Sequence, residues 1–104
     1  MNITKFKDTQ IAVHDLLIEY PNLRDSDQRL VAFFHTLEMG GVSVCKSMSA
    51  YEYLKAIVDG KLTNAESITR ARRKVQENTP ALRGKKYNER KLAESKVREA
   101  IKTI

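Results

Sequence analysis

KLTNAESITRARRKVQENTPALRGKKYNER, residues 61–90, joins a strong helix-start signal to the densest positive charge in the chain. Thr63 stands three residues before Glu66. That is the spacing of a capping box, in which the hydroxyl accepts from the amide three residues on and the carboxylate reaches back to the cap amide. The spacing predicts a helix from Asn64 to about Asn78, closed by Pro80, because the residue before a proline is disfavoured in the helical region. At about 100° per residue, Ile68, Ala71 and Val75 share one side, with Ala65 at its margin. Arg70, Arg73 and Lys74 fall opposite. Arg72 lies at the stripe's edge, where its stem covers apolar surface and its guanidinium reaches water.

Ser49-Ala50-Tyr51-Glu52 is a second capping box. It opens a helix whose Tyr51, Leu54, Ile57 and Val58 share a face, and Gly60 ends it as a C′ residue. Two short helices joined by a glycine-containing turn make a helix-turn-helix outline, with Arg70, Arg73 and Lys74 on the second helix. When Gly60 is set at the usual turn glycine, Ala56 takes the small position before it. Glu66 and Thr69 then fall where apolar residues belong, so the hairpin is an atypical candidate.

Outward from this hairpin, residues 5–20 carry Ile11, His14, Leu17 and Ile18 on one helical face, and Pro21 stops them. A cap near Ser26 starts a second helix, to about residue 39, rich in Leu30, Val31, Phe33, Phe34, Leu37 and Met39. Gly40-Gly41 ends it, and Val42–Cys45 reads as a short extended piece or a loop. The last helix, near 87–103, sets Ala93, Val97, Ala100, Ile101 and Ile104 on one side, with Glu94 and Arg98 as an i,i+4 pair. The expectation is a single all-α domain, residues 1–104, built as a compact bundle of four to five helices with little or no strand. Its expected core is Leu17, Leu30, Phe33, Phe34, Leu37, Leu54, Val58, Ile68 and Val75. The small-residue stripe on the last helix packs weakly by burial alone, so that helix either lies along its own domain or projects to meet a second copy in a homodimer.

A chain of 104 residues and 11.9 kDa supports one modest core. Its net charge of +6 is regional. Residues 1–60 hold six Lys/Arg against eight Asp/Glu, a net of −2, and residues 61–104 hold thirteen against five, a net of +8. A half-molecule excess of that size calls for an acidic partner, nucleic acid above all. Cys45 is the only cysteine, which excludes an internal disulfide and a multi-cysteine zinc site. MNITKFKDTQ has no apolar signal core and no later run approaches a membrane span, so cytoplasm is the expected location, with no membrane partner.

No catalytic constellation stands out, and the sequence predicts neither an enzyme nor a cofactor nor a metal. His14 and His35 have no ligand partner at helical spacing, and a lone histidine on an apolar face is more often a core residue than a ligand. Asp25 and Asp27 read as capping residues, and Cys45 as a small buried hydrophobe. Gly40-Gly41 lacks the Lys-Ser/Thr of a phosphate loop. What remains is the cluster Arg70, Arg72, Arg73, Lys74, Arg83, Lys85, Lys86, Arg90 and Lys91, interleaved with only Glu77 and Glu89. Asn64, Ser67, Arg70, Arg73 and Lys74 are expected to face a duplex, and Arg83, Lys85, Lys86 and Arg90 to hold its backbone. Tyr51 belongs with the core on this reading, and Tyr53 and Tyr87 are surface aromatics.

YPNLRDSDQRL from Tyr20, and AYEYLKAIVDGKLTNAESITRARRKVQENTPALRGKKYNER from Ala50 to Arg90, resemble blocks found in small proteins encoded by bacteriophages and prophages. About two-thirds of the chain is covered, and the ESIxRARRKxQE…PxLRG block is the more specific part. The resemblance implies a phage accessory protein working in bacterial cytoplasm. The regional charge and the Arg-rich helix point to an accessory or regulatory role in binding nucleic acid, duplex DNA ahead of RNA, and to this the resemblance adds only the context. The alternative it implies is inhibition of a host protein or nucleoprotein of replication, transcription or defence, anti-CRISPR-type activity included, through an acidic surface of that partner.

Overall fold

The computed structural model describes residues 3–102, and their side chains except at positions 91, 95, 101 and 102. Six α-helices and no strand run through the described residues. They are α1 (Thr9–Glu19), α2 (Asp27–Glu38), α3 (Val42–Ser47), α4 (Ala50–Val58), α5 (Ala65–Asn78) and α6 (Lys85–Lys102). Single 3-10 turns sit at Pro21–Leu23 and Pro80–Leu82, each led by its proline, whose fixed φ suits the first position of a turn.

The helix ends follow the chemistry of their residues. Ser26 Oγ accepts from the Arg29 amide at 3.2 Å and Ser49 Oγ from the Glu52 amide at 3.1 Å, capping α2 and α4. Gly60, at φ 70°, closes α4 in the left-handed conformation that L side chains rarely adopt. The Lys61 amide then donates back to the Ala56 carbonyl at 3.0 Å, the six-to-one bond of a Schellman turn.

Two local expectations are corrected. Thr63 does not cap α5. Asn64 does, its carboxamide oxygen accepting from the Glu66 amide at 2.8 Å, because Thr63 is engaged by Glu38 instead. Val42–Ser47 is helical and not extended. With no second strand in the described chain to take up its amides and carbonyls, the segment satisfies them within its own turns.

The main core lies where α5 packs on α1 and α2, and Val13, Leu17, Leu30, Phe34 and Ile68 there have no solvent exposure. Phe6 meets the Phe34 ring edge-on at 4.9 Å, and half-buried Phe33 packs on Tyr20 at 4.6 Å. A smaller cluster of Met39, Ala56 and Leu62, with Cys45, Met48 and Tyr53 against it, seats α3 and α4 on the end of α2. Leu37, Leu54 and Val58, expected in the core, are 40%, 59% and 83% exposed. α4 turns Ala56 and Tyr53 inward, so its wider apolar face, including Tyr51, meets solvent.

Residues 59–64 separate α4 from α5, a longer link than a tight helix-turn-helix turn. α5 packs chiefly on α1 and α2. The radius of gyration is 16.9 Å and the extents are 59 × 24 × 22 Å, whereas a compact chain of this length has a radius near 13 Å. The difference comes from α6. Its 18 residues run about 27 Å, and from Leu92 onward its described side chains are exposed. Ile101, Ile104 and Lys91, named in the apolar stripe and the basic cluster, lie outside the described side chains.

Candidate nucleic-acid interface

The corner between α5 and α6 is built by polar side chains that reach far along the chain. Gln76, 1% exposed, donates its amide to the carbonyls of Arg24 at 2.9 Å and Leu82 at 3.2 Å. Arg72 is buried rather than edge-lying. It donates to the same Arg24 carbonyl at 3.1 Å, and its Nε sits 2.7 Å from Asp27 Oδ1. That pairing is a close ion pair whose N–H is not aimed along the line of a hydrogen bond. Arg24 is itself fixed by donation from its Nε to the Leu17 carbonyl at 2.8 Å.

Two further interactions set where α6 begins. Arg83 donates to the carbonyls of Gln76 at 2.7 Å and Glu77 at 3.0 Å, and its guanidinium lies 4.7 Å from the centre of the Tyr87 ring. Carbonyls in the last turn of a helix carry partial negative charge, so a guanidinium there both caps α5 and complements its dipole. The Asp25 carboxylate accepts from the amides of Lys85 at 3.2 Å and Lys86 at 2.9 Å, capping α6 across 60 residues of chain. A Cβ at Gly84 would overlap the Asp25 carboxylate, so any larger residue here has to displace that cap.

The result is a cleft of about 140 Å³ between α5 and α6, lined by Arg73, Gln76, Glu77, Tyr87, Arg90 and Glu94. Arg73 and Arg90, 17 residues apart in sequence, thus border one concavity. Arg73, Lys74, Lys85, Lys86 and Arg90 are exposed, and among the described residues none of the five forms an ion pair. An exposed cation with no carboxylate partner among the described residues has none of these to give up when it meets a phosphate.

The other four expected interface residues stand differently. Ser67 and Arg70 are exposed toward the start of α5, but Arg70 is already paired with Glu66 at 2.5 Å. Asn64 is exposed, and its carboxamide oxygen is engaged as a cap, the oxygen a two-bond interaction with adenine would use. Arg83 is half-buried with three of its faces occupied, by two carbonyls and an aromatic ring, which makes it a positioning residue. Asp25 and Gln76 carry no signal of a site in the sequence, yet they hold the corner in shape.

His35 makes two bonds, its Nε2 lying 2.7 Å from the Thr63 carbonyl and its Nδ1 2.8 Å from the Tyr53 hydroxyl. A carbonyl only accepts, so Nε2 carries the proton. In the neutral ring Nδ1 then accepts from Tyr53, which is a half-buried structural residue and not a surface aromatic. The described residues contain no group of three or more His, Cys, Asp or Glu that could hold a metal ion. No described helix is long and apolar enough to cross a membrane. No protein-family model, curated protein or solved structure matches the chain.

Proposed function

We propose that this chain is a phage-encoded accessory or regulatory protein that binds nucleic acid, duplex DNA ahead of RNA, by gripping the sugar-phosphate backbone. Arg73, Lys74, Lys85, Lys86 and Arg90 meet the phosphates, and Arg83, Asp25 and Gln76 position them. The observation that carries this reading is that Arg73 and Arg90 border one cleft, with Lys74, Lys85 and Lys86 exposed on the same two helices and, among the described residues, without an ion-pair partner. Such a set neutralises phosphates without regard to sequence. Base selection is secondary on this reading, because the side chains best suited to it, Asn64 and Arg70, already have partners.

Fluorescence anisotropy with a labelled random duplex, a matched RNA duplex and a single strand tests the proposal. Binding tightest to duplex DNA and clearly weakened in Arg73→Ala/Arg90→Ala supports it. Equal retention of DNA by that variant, with its fold intact, overturns it.

The outward face of α4 favours a second reading. Tyr51, Leu54, Ile57 and Val58 are 72%, 59%, 42% and 83% exposed on one side of a nine-residue helix. Adjacent exposed apolar side chains mark protein-binding surfaces more often than bare solvent faces. On this reading the protein binds and inhibits a host protein. Leu54→Ser/Val58→Ser would then abolish its effect in the host without changing its affinity for DNA.

A further inference from the structure

α6 runs 18 residues, and from Leu92 onward its described side chains are exposed. Leu92 and Val97 are 58% and 59% exposed, and Ala93 and Ala100 near them are exposed too. Helices gain most of their stability in water from packing an apolar face, so an end with exposed Leu and Val calls for a surface to lie on.

A complementary surface exists on the opposite half of the sequence. Phe6, Ile11, Leu16 and Leu37 form the apolar part of a groove of about 380 Å³ along α1, and Ile11, at 61% exposed, is its most open member. Asp8, Asp15 and Glu19 also line it, against a single cation, Lys7. α6 carries the opposite balance, seven Lys/Arg against three Glu over residues 85–102. An apolar groove edged with carboxylates fits a basic helix with a thin apolar stripe, in sign of charge as well as in shape.

We propose that the occupant is a second copy of this chain: α6 of each protomer lies in the α1 groove of its partner. Because each copy gives its α6 to the other's groove, the arrangement is reciprocal and therefore isologous, closing as a two-fold dimer rather than running on as a filament. The inner half of α6, with Lys85, Lys86 and Arg90, stays outside that interface. This dimer therefore stands or falls independently of nucleic-acid binding.

Sedimentation equilibrium on the full chain over micromolar to submillimolar concentrations tests it, with Ile11→Asp in the groove and Val97→Asp on α6. Both sites are exposed, so neither change disturbs the core, and circular dichroism checks that each variant keeps its helix content. Each variant alone should weaken the dimer by at least about tenfold. An equimolar mixture of the two should associate again, because the intact α6 of the Ile11→Asp chain meets the intact groove of the Val97→Asp chain. Asp15→Lys gives a second probe that leaves the apolar floor untouched, and it should weaken the dimer most at low salt. A wild type that is monomeric throughout overturns the proposal. So does a dimer that survives Ile11→Asp and Asp15→Lys, or a mixture that stays monomeric while wild type dimerises.

Discussion

Thr63 engages both oxygens of the Glu38 carboxylate, its amide donating to Oε1 at 2.9 Å and its hydroxyl to Oε2 at 2.6 Å. Glu38 is 2% exposed at the end of α2, and the Phe6 amide adds a third bond at 3.2 Å, so one buried charge ties the N-terminal segment, α2 and the approach to α5 together. A buried carboxylate deprived of a donor keeps its desolvation penalty. Thr63→Val should therefore destabilise the fold by about 1.5–3 kcal/mol, the range for a hydrogen bond to a charged group. Urea denaturation of Thr63→Val, Glu38→Gln and the double variant checks this. The prediction is a strongly non-additive cycle, and simple additivity would show that the two residues are not coupled.

Asp25 and Gly84 form a second such pair. Gly84→Ala pushes a methyl group into the carboxylate that caps α6, and loss of a cap costs about 0.5–2 kcal/mol. Gly84→Ala and Asp25→Ala should each lower helix content measured by circular dichroism. Their combination should lower it no further, since both remove the same two bonds.

Phe34, wholly buried in the main core, and Val58, 83% exposed, separate the observed core from the expected one. Phe34→Ala should cost about 3–5 kcal/mol. Val58→Ser should change stability by less than about 0.5 kcal/mol, the usual range for surface substitutions. Thermal melts of the two variants check both figures.

The Tyr53 phenol is held above its ordinary value of 10.0, first by burial and then by the charge of neighbouring Cys45. An acid whose folded value is raised gives up its proton first in the unfolded chain. The unfolded state is thereby favoured as pH climbs past about 10, the ordinary tyrosine value. Wild type should lose melting temperature above that pH faster than Tyr53→Phe, whereas near neutrality the two should change with pH in parallel. Equal slopes for the two proteins would contradict the assignment.

The helices are legible in the sequence because their starts and stops are local. Ser26, Ser49, Gly40, Gly60 and the prolines act within a few residues of where they stand. The partners of the polar side chains are not legible. Thr63 reads as a cap because Glu66 stands at the right spacing, and nothing local announces that Glu38, 25 residues upstream, takes its hydroxyl. Arg72 and Arg83 read as equivalent to Arg73 and Arg90, since charge along a chain does not say which guanidinium will meet Asp27, a carbonyl or water. The apolar face of α4 misleads for a related reason. Hydrophobic periodicity finds a face without saying whether the fold covers it.

The salt dependence of DNA binding tests the central claim most directly, because each phosphate neutralised adds a slope of about −0.9 in log affinity against log salt. Arg73, Lys74, Lys85, Lys86 and Arg90 together predict a slope of roughly −4 to −5 for wild type on a random duplex. In Arg73→Ala/Arg90→Ala the slope should be shallower by about two, one unit for each phosphate left without its arginine. Arg83→Ala should lower the melting temperature, because the carbonyls it caps are left without a donor. No binding at low salt, or a slope that the Arg73→Ala/Arg90→Ala variant leaves unchanged, would contradict a phosphate-gripping cleft between α5 and α6.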